Sequence, residues 1–405
     1  MRVSAYPNNT IHLPKGFSFS ALSAGIKASG RLDVALVEAA AKTSAAALFT
    51  KNRVVAAPVE VGRAHLARTG GRVRAVIVNS GNANCATGKA GLRACERVCR
   101  ETARSLGVKA EEVFPSSTGI IGVPFPAEKI LAKLPELVAR RELTQHKIHQ
   151  FARSVMTTDT RQKCASARFR TGQSEINLLG IAKGSGMIHP QLATMLVYLF
   201  TDLAATRSEL KQLLNKACDR SFNCISVDGD TSTNDTVLLL ASGQSGIRLK
   251  DTGVGKTFAD MLLGVCQSLA EQIVSDGEGV RHVIHLSIER AKTRQEALHV
   301  ARAIAHSLLV KTAWAGADPN WGRILATVGA CGAPIDPNRV SVFVGKQMVC
   351  RNGVGCLFDA QKAHRELARP RCNIRVLLGR GKKSAVFTTS DLTEEYVRIN
   401  ADYST

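Results

Sequence analysis

The run Met195–Phe200, MLVYLF, is apolar throughout and follows directly on the glycine-punctuated stretch Ala182-Lys-Gly-Ser-Gly-Met-Ile-His-Pro-Gln-Leu-Ala-Thr194. A run this short and this apolar reads as a buried strand. A chain that repeatedly sinks short apolar strands must cover them with other layers, and Thr194 stands at the mouth of this one.

The rest of the chain alternates in the same way. Val73–Val78 reads as another buried strand, ending in the polar turn Asn79-Ser80-Gly81-Asn82-Ala83-Asn84. Helical spacing follows over Lys89–Leu106, with Cys95 and Cys99 on one face as core packing. Phe114-Pro-Ser-Ser-Thr-Gly-Ile-Ile-Gly122 reads as a polar turn, and Ala127–Arg140 and Gln145–Met156 as helices. Beyond these, Glu175–Ile181, Thr236–Ala241 and Val283–Glu289 have strand character, while Ser208–Cys218, Phe258–Val274 and Arg294–Leu309 have helical period. A hairpin is expected from Val340–Val344 and Gln347–Arg351 around Gly345. Helices and strands mixed this way predict an α+β (mixed α/β) architecture of layered sheets with flanking helices.

Composition narrows the class. With 45% apolar residues the 405-residue chain is globular rather than disordered, and no apolar run reaches the roughly 18 residues of a membrane span. The start, MRVSAYPNNTIHLPKGF, has neither a signal-peptide core nor a transit-peptide pattern, and the eleven cysteines form no CxxC pair. A reducing cytoplasm is therefore expected. The net charge of +21 admits nucleic-acid binding, but aromatics are only 5% and no long Lys/Arg run occurs. A solvated basic surface that draws in small acidic substrates is the simpler reading.

Several familiar sites fail on their own terms. Gly253-Val-Gly-Lys-Thr257 lacks the leading glycine of a phosphate loop, because Lys250 holds that position. His146/His149 and His282/His285 lack companion ligands, so no metal site is expected. Gly184-Ser-Gly is too short for a nucleophile elbow.

Thr194 remains. A threonine hydroxyl is a weak nucleophile without an adjacent base. Chain cleavage between Ala193 and Thr194 supplies one, since a free α-amine titrates near pH 8 and lies on the same residue. Attack of the Thr194 hydroxyl on the Ala193 carbonyl gives an ester that water opens, and Gly184 and Gly186 allow the backbone to bend. A plain loop-to-strand junction is the competing reading of the same residues.

Further segments decide between them. Gly25-Ile-Lys-Ala-Ser-Gly-Arg31, Val78-Asn-Ser-Gly-Asn-Ala-Asn84, Ser116-Ser-Thr-Gly119, Met156-Thr-Thr-Asp-Thr160 and Ala182–Leu196 occur in order. They are followed by Ser226–Thr236, Asp276-Gly-Glu-Gly279, Gly316–Arg323 and Arg398–Thr405. In these the chain resembles the ornithine acetyltransferase family, the glutamate N-acetyltransferases of arginine biosynthesis, nearly end to end. A small reordering around Cys85 leaves the mechanism untouched.

The resemblance implies a self-cleaved, N-terminal-nucleophile-like transferase, with an α chain of residues 1–193 and a β chain of 194–405, two copies of each. Thr194 takes the acetyl group of N-acetylornithine and passes it to glutamate. Thr118 and Gly119 form the oxyanion hole. Thr157, Lys183, Thr194, Glu278, Asn400 and Thr405 contact substrate, with Lys183 suited to an α-carboxylate and Glu278 to an ammonium group. No cofactor or metal is implied, and use of acetyl-CoA as a second donor is left open. Asn234, Asp235, Trp321 and His189 receive no role. Two alternatives stand beside this reading: an amidohydrolase or aminopeptidase of the related N-terminal-nucleophile kind, and a basic nucleic-acid-binding protein.

Overall fold

The structure, a computed structural model, describes residues 4–5, 11–189 and 195–402. Its centre is a six-stranded sheet in the order Ser4–Ala5, Lys163–Thr171, Ser174–Lys183, Leu196–Thr201, Thr236–Ala241, Ser44–Phe49. Leu196–Thr201 lies antiparallel to Ser174–Lys183 and parallel to Thr236–Ala241. The apolar run is thus a central strand, and it feeds two cores. Leu196, Tyr198 and Phe200 point to one face of the sheet, and Val197 and Leu199 to the other.

On the first face packs a four-stranded sheet, Phe17–Leu22, Val34–Ala39, Ala75–Asn82 and Val113–Ile120. Aromatic rings fill the space between the two sheets. Phe200 meets Phe19 edge-on at 5.1 Å, and Phe151 meets Tyr198 at 5.3 Å. Helices Ala57–Arg68, Gly88–Leu106 and Ala127–Ala139 cover the outer face of the smaller sheet. Helices Arg207–Cys218 and Val254–Ser275 cover the outer face of the larger one. The result is a helix–sheet–sheet–helix sandwich, which is the layered α+β class expected. A third sheet, of six strands, runs from Val354–Gly355 through Gln347–Arg351, Ser341–Val344, Arg371–Leu377 and Val283–Ala291 to Lys383–Ser390. It packs its own helices, with Trp314 in its core.

Three readings need correction. Asn79–Asn82 is not a turn but the end of the strand Ala75–Asn82. Phe114–Gly122 is likewise mostly strand, Val113–Ile120, paired in parallel with Ala75–Asn82. Its Pro115 misled the pattern, yet a proline is tolerated because this strand lies at the sheet edge. The helix expected over Arg294–Leu309 breaks at Ser307, whose hydroxyl caps the next helix, Leu308–Ala315.

The division at positions 193 and 194 does not separate two folding units. Ser44–Phe49 and Ser174–Lys183, from the first part, flank the pair Leu196–Thr201 and Thr236–Ala241 from the second. Both parts contribute to the same two cores.

Candidate active site

The site forms where the two sheets end together. Thr118 and Gly119 close the strand Val113–Ile120, and Thr118 is buried. Gly119 has φ +132°, and a Cβ there would lie 2.3 Å from the carbonyl carbon of Gly81. Only glycine lets the two strands approach this closely. Beneath them the buried Asn234 amide donates to the carbonyls of Ser117 at 2.9 Å and Ala83 at 2.7 Å. That side chain pins both strand ends, and with them the backbone that carries Thr118.

Lys183 ends the strand Ser174–Lys183 and is buried. Its ammonium donates to Thr118 Oγ1 at 3.3 Å. Among the described residues it makes no salt bridge. Burial pushes its pKa below the ordinary lysine range, against the pull of Asp159, Asp235 and Glu278.

Asp159 lies underneath and is fully spoken for. Oδ1 accepts from Lys163 Nζ at 2.6 Å and from the Gly184 amide at 2.7 Å, while Oδ2 accepts from the Thr157 amide at 3.0 Å. Burial alone would raise its pKa, but Lys163, Lys183 and these donors hold the carboxyl well below the usual range. Lys163 Nζ also meets Asp276 Oδ2 at 2.6 Å, and Asp276 in turn accepts the amides of Thr160 and Arg161. This buried ionic strap ties the segment Met156–Thr160 to the loop after Lys183 and to Asp276–Gly279.

Glu278 is the opposite pole of the site. Its carboxylate lies 2.5 Å from where a Cβ on Gly186 would be, so a side chain there would push the carboxylate from this place. Asn400 donates to Glu278 Oε2 at 2.8 Å from the helix Glu394–Asp402. The C-terminal helix therefore folds back onto the site. One turn earlier, Tyr396 donates to Asp228 Oδ2 at 3.4 Å, and Asp228 accepts the amides of Met187 and Ile188. Burial raises the Asp228 carboxyl to about 6.

Thr118, Gly119, Thr157, Lys183, Glu278 and Asn400 all line one cavity, with Ser232 and Asn234 in its wall. Ala193, Thr194 and Thr405 lie outside the described residues. The residue after Thr194 is anchored: the Met195 amide donates to Asp235 Oδ1 at 2.9 Å, and the next residue, Leu196, pairs with Lys183. Sequence reasoning missed Asp159, Lys163, Asp276, Asn234 and Asp228. Asp159, Asp276, Asn234 and Asp228 sit inside segments that carried the resemblance. Lys163 had no sequence signal. Among the described residues, no group of three or more His, Cys, Asp or Glu is placed to hold a metal ion, and no helix is long and apolar enough to cross a membrane.

A polar pocket that sets threonine hydroxyls, one buried ammonium and one carboxylate beside the start of a central strand has the groups to hold a zwitterion and to donate to an oxyanion. The chain belongs to the ArgJ family, whose model matches residues 18–405. It is 39% identical to the arginine biosynthesis bifunctional protein ArgJ of Pseudomonas fluorescens over 410 residues, covering 100% of both chains. To the same-named protein of Methylococcus capsulatus it is 43% identical, covering 96% of this chain and 95% of that one. Among solved structures, the ornithine acetyltransferase of Mycobacterium tuberculosis complexed with ornithine is 35% identical, with a TM-score of 0.43, covering 47% of this chain and 98% of that one.

Proposed function

We propose that this chain is an acetyltransferase of arginine biosynthesis that moves an acetyl group from N-acetylornithine to glutamate through an ester on Thr194. The observation that carries this is the convergence of Thr118, Gly119, Thr157, Lys183, Glu278 and Asn400 on one cavity, although they are spread over most of the sequence.

The bond between Ala193 and Thr194 breaks first, and the new α-amine serves as the base for the Thr194 hydroxyl. The hydroxyl oxygen attacks the acetyl carbonyl of N-acetylornithine. The Gly119 N–H and the Thr118 hydroxyl receive the developing oxyanion. Because the Lys183 ammonium can only donate, it occupies a lone pair of Thr118 Oγ1 and leaves the hydroxyl proton free to point at the oxyanion. Lys183 and Glu278 then sort the two ends of the amino acid, cation to carboxylate and carboxylate to ammonium. Ornithine leaves, and the glutamate amine takes the acetyl group from the ester. No metal or cofactor takes part in this scheme, since the protein itself carries the acyl group. The α chain 1–193 and β chain 194–405 stay together through the shared sheet, as two copies of each in the cytoplasm.

The test is incubation with N-acetylornithine, with and without glutamate. N-acetylglutamate formed only when glutamate is present, with ornithine released in equal amount, is the expected result. Steady release of acetate that ignores glutamate identifies a hydrolase and overturns the reading.

A further inference from the structure

A second cavity, of about 530 Å³, opens beside the first, where the edge strand Ser44–Phe49 meets the helices Arg207–Cys218 and Arg294–His306. Five cations line it: Lys51, Arg63 and Lys211 at the exposed rim, and Arg294 and Arg302 half-buried. One carboxylate, Asp219, shares the lining, and it already accepts from the Asn223 amide at 3.0 Å.

Among the described residues, none of the five cations forms a salt bridge. Those that are bonded spend their donors on neutral partners: Arg63 on the Thr50 carbonyl at 3.0 Å, Lys211 on the Ala47 carbonyl at 2.6 Å, and Arg294 on the Asp219 carbonyl at 2.8 Å. Arg302 Nε is buried and has no hydrogen-bond partner among the described residues. Like charges press on each other here. After burial, Arg294 is a further cause lowering the Arg302 pKa, and Arg207 and Arg63 further causes lowering that of Lys211. A concentration of uncompensated cations in a concave, partly desolvated site costs stability unless an anion enters it. Guanidinium groups suit phosphate oxygens in particular, since they present paired donors in a plane. Leu48, Phe49 and Leu298 add an apolar wall.

The cavity is also wired to the active site. Thr50 lies in its lining, and its hydroxyl donates to the Ser232 carbonyl at 2.7 Å while its amide donates to the Asp235 carbonyl at 2.9 Å. Ser232 is in the wall of the catalytic cavity, and Asp235 holds the amide of Met195.

We propose that this basic cavity, gathered from Lys51, Arg63, Lys211, Arg294 and Arg302 around Thr50, which bonds to the active-site wall at Ser232, binds a small molecule carrying several phosphates. The same chemistry has two sources: the phosphorylated end of a coenzyme A thioester that donates acetyl to Thr194, or a free nucleotide that acts as an effector. The donor case rests on the acetyl-Thr194 reading. In that case the Thr194 oxygen bonds the acetyl carbon and the C–S bond breaks. The hydroxyl proton passes by way of the α-amine to the departing thiolate, which leaves as the free thiol.

The experiment titrates coenzyme A, adenosine 3′,5′-bisphosphate and inorganic pyrophosphate into the purified protein by calorimetry. Wild type is compared with Lys51→Ala/Lys211→Gln, whose rim side chains are exposed, and with Arg302→Lys. Coenzyme A and the bisphosphate are expected to bind, and to weaken about ten-fold for each rim cation removed. N-acetylornithine turnover by the rim variant stays unchanged. Acetyl-CoA turnover with glutamate, lost or raised in KM in the rim variant, marks the donor source. Bisphosphate binding without acetyl-CoA turnover marks the effector. Equal affinity of wild type and rim variant for all three probes overturns the proposal, as does a preference for duplex DNA at equal salt. Loss of the N-acetylornithine reaction in wild type would instead sink the proposed function, whatever the titrations show.

Discussion

Replacing Asp159 by Asn tests whether the ionic strap underlies the site. The carboxylate satisfies three donors with two oxygens, namely Lys163 Nζ and the Gly184 amide on Oδ1 and the Thr157 amide on Oδ2. An asparagine keeps one acceptor oxygen, so its NH2 must face at least one of those donors. The Lys163 ammonium, buried at 1% exposure, keeps the Arg161 carbonyl but is left with Asp276 as its one carboxylate partner, and Lys183 loses its strongest balancing charge. Breaking a buried ion pair from one side costs about 3–5 kcal/mol, and that is the loss expected in urea unfolding at neutral pH. The sign in pH follows from the shift. The folded carboxyl titrates below the unfolded value of about 3.9, so its contribution is complete above that pH. It fades only as pH falls towards the folded pKa. The gap between wild type and Asp159→Asn is therefore constant from pH 6 to 8 and closes only in acid. A second readout is the rate: with less attraction holding its proton, Lys183 loses its charge at lower pH, and the alkaline limb of acetyl transfer moves down. An unfolding free energy within about 0.5 kcal/mol of wild type, with an unmoved alkaline limb, would refute the reasoning.

Other expectations follow from single contacts. Thr118→Ala lowers kcat by about 10²–10³ with little change in KM, the cost of one oxyanion donor; an unchanged kcat in steady-state assays removes Thr118 from that role. Gly119→Ala must force a Cβ against Gly81 at positive φ, a strain of at least about 1–3 kcal/mol, and an unfolding midpoint equal to wild type contradicts the close approach. Asn400→Ala removes the 2.8 Å hydrogen bond to Glu278 and raises KM for N-acetylornithine about ten-fold while kcat holds; unchanged KM means the C-terminal helix does not shape the site.

Much of this was legible in the chain itself. Thr236–Ala241 is a strand over the same residues that the apolar run predicted, because burial on both faces leaves an uninterrupted signal. Ser44–Phe49 gave no such signal, since Ala45, Ala46 and Ala47 favour helix locally and become a strand only because the adjoining strand and layers pack close. Thr118 was found as a site residue but placed on a turn: Pro115 and Ser117 look like loop chemistry until the edge position accounts for the first and the Asn79 and Asn234 side chains for the second. Lys183 and Glu278 were named as contacts, but the Asp159–Lys163–Asp276 strap was invisible. Asp159 and Lys163 are only 4 residues apart, but Asp276 lies 113 residues further on, and nothing local marks it as the partner that joins them.

The account stands most directly on the mass of the freshly purified protein before and after exposure to N-acetylornithine without glutamate. Two polypeptides, 1–193 and 194–405, are expected. The second should gain one acetyl group on its first residue and lose it when glutamate is added. A single intact chain of 405 residues that nonetheless makes N-acetylglutamate contradicts it.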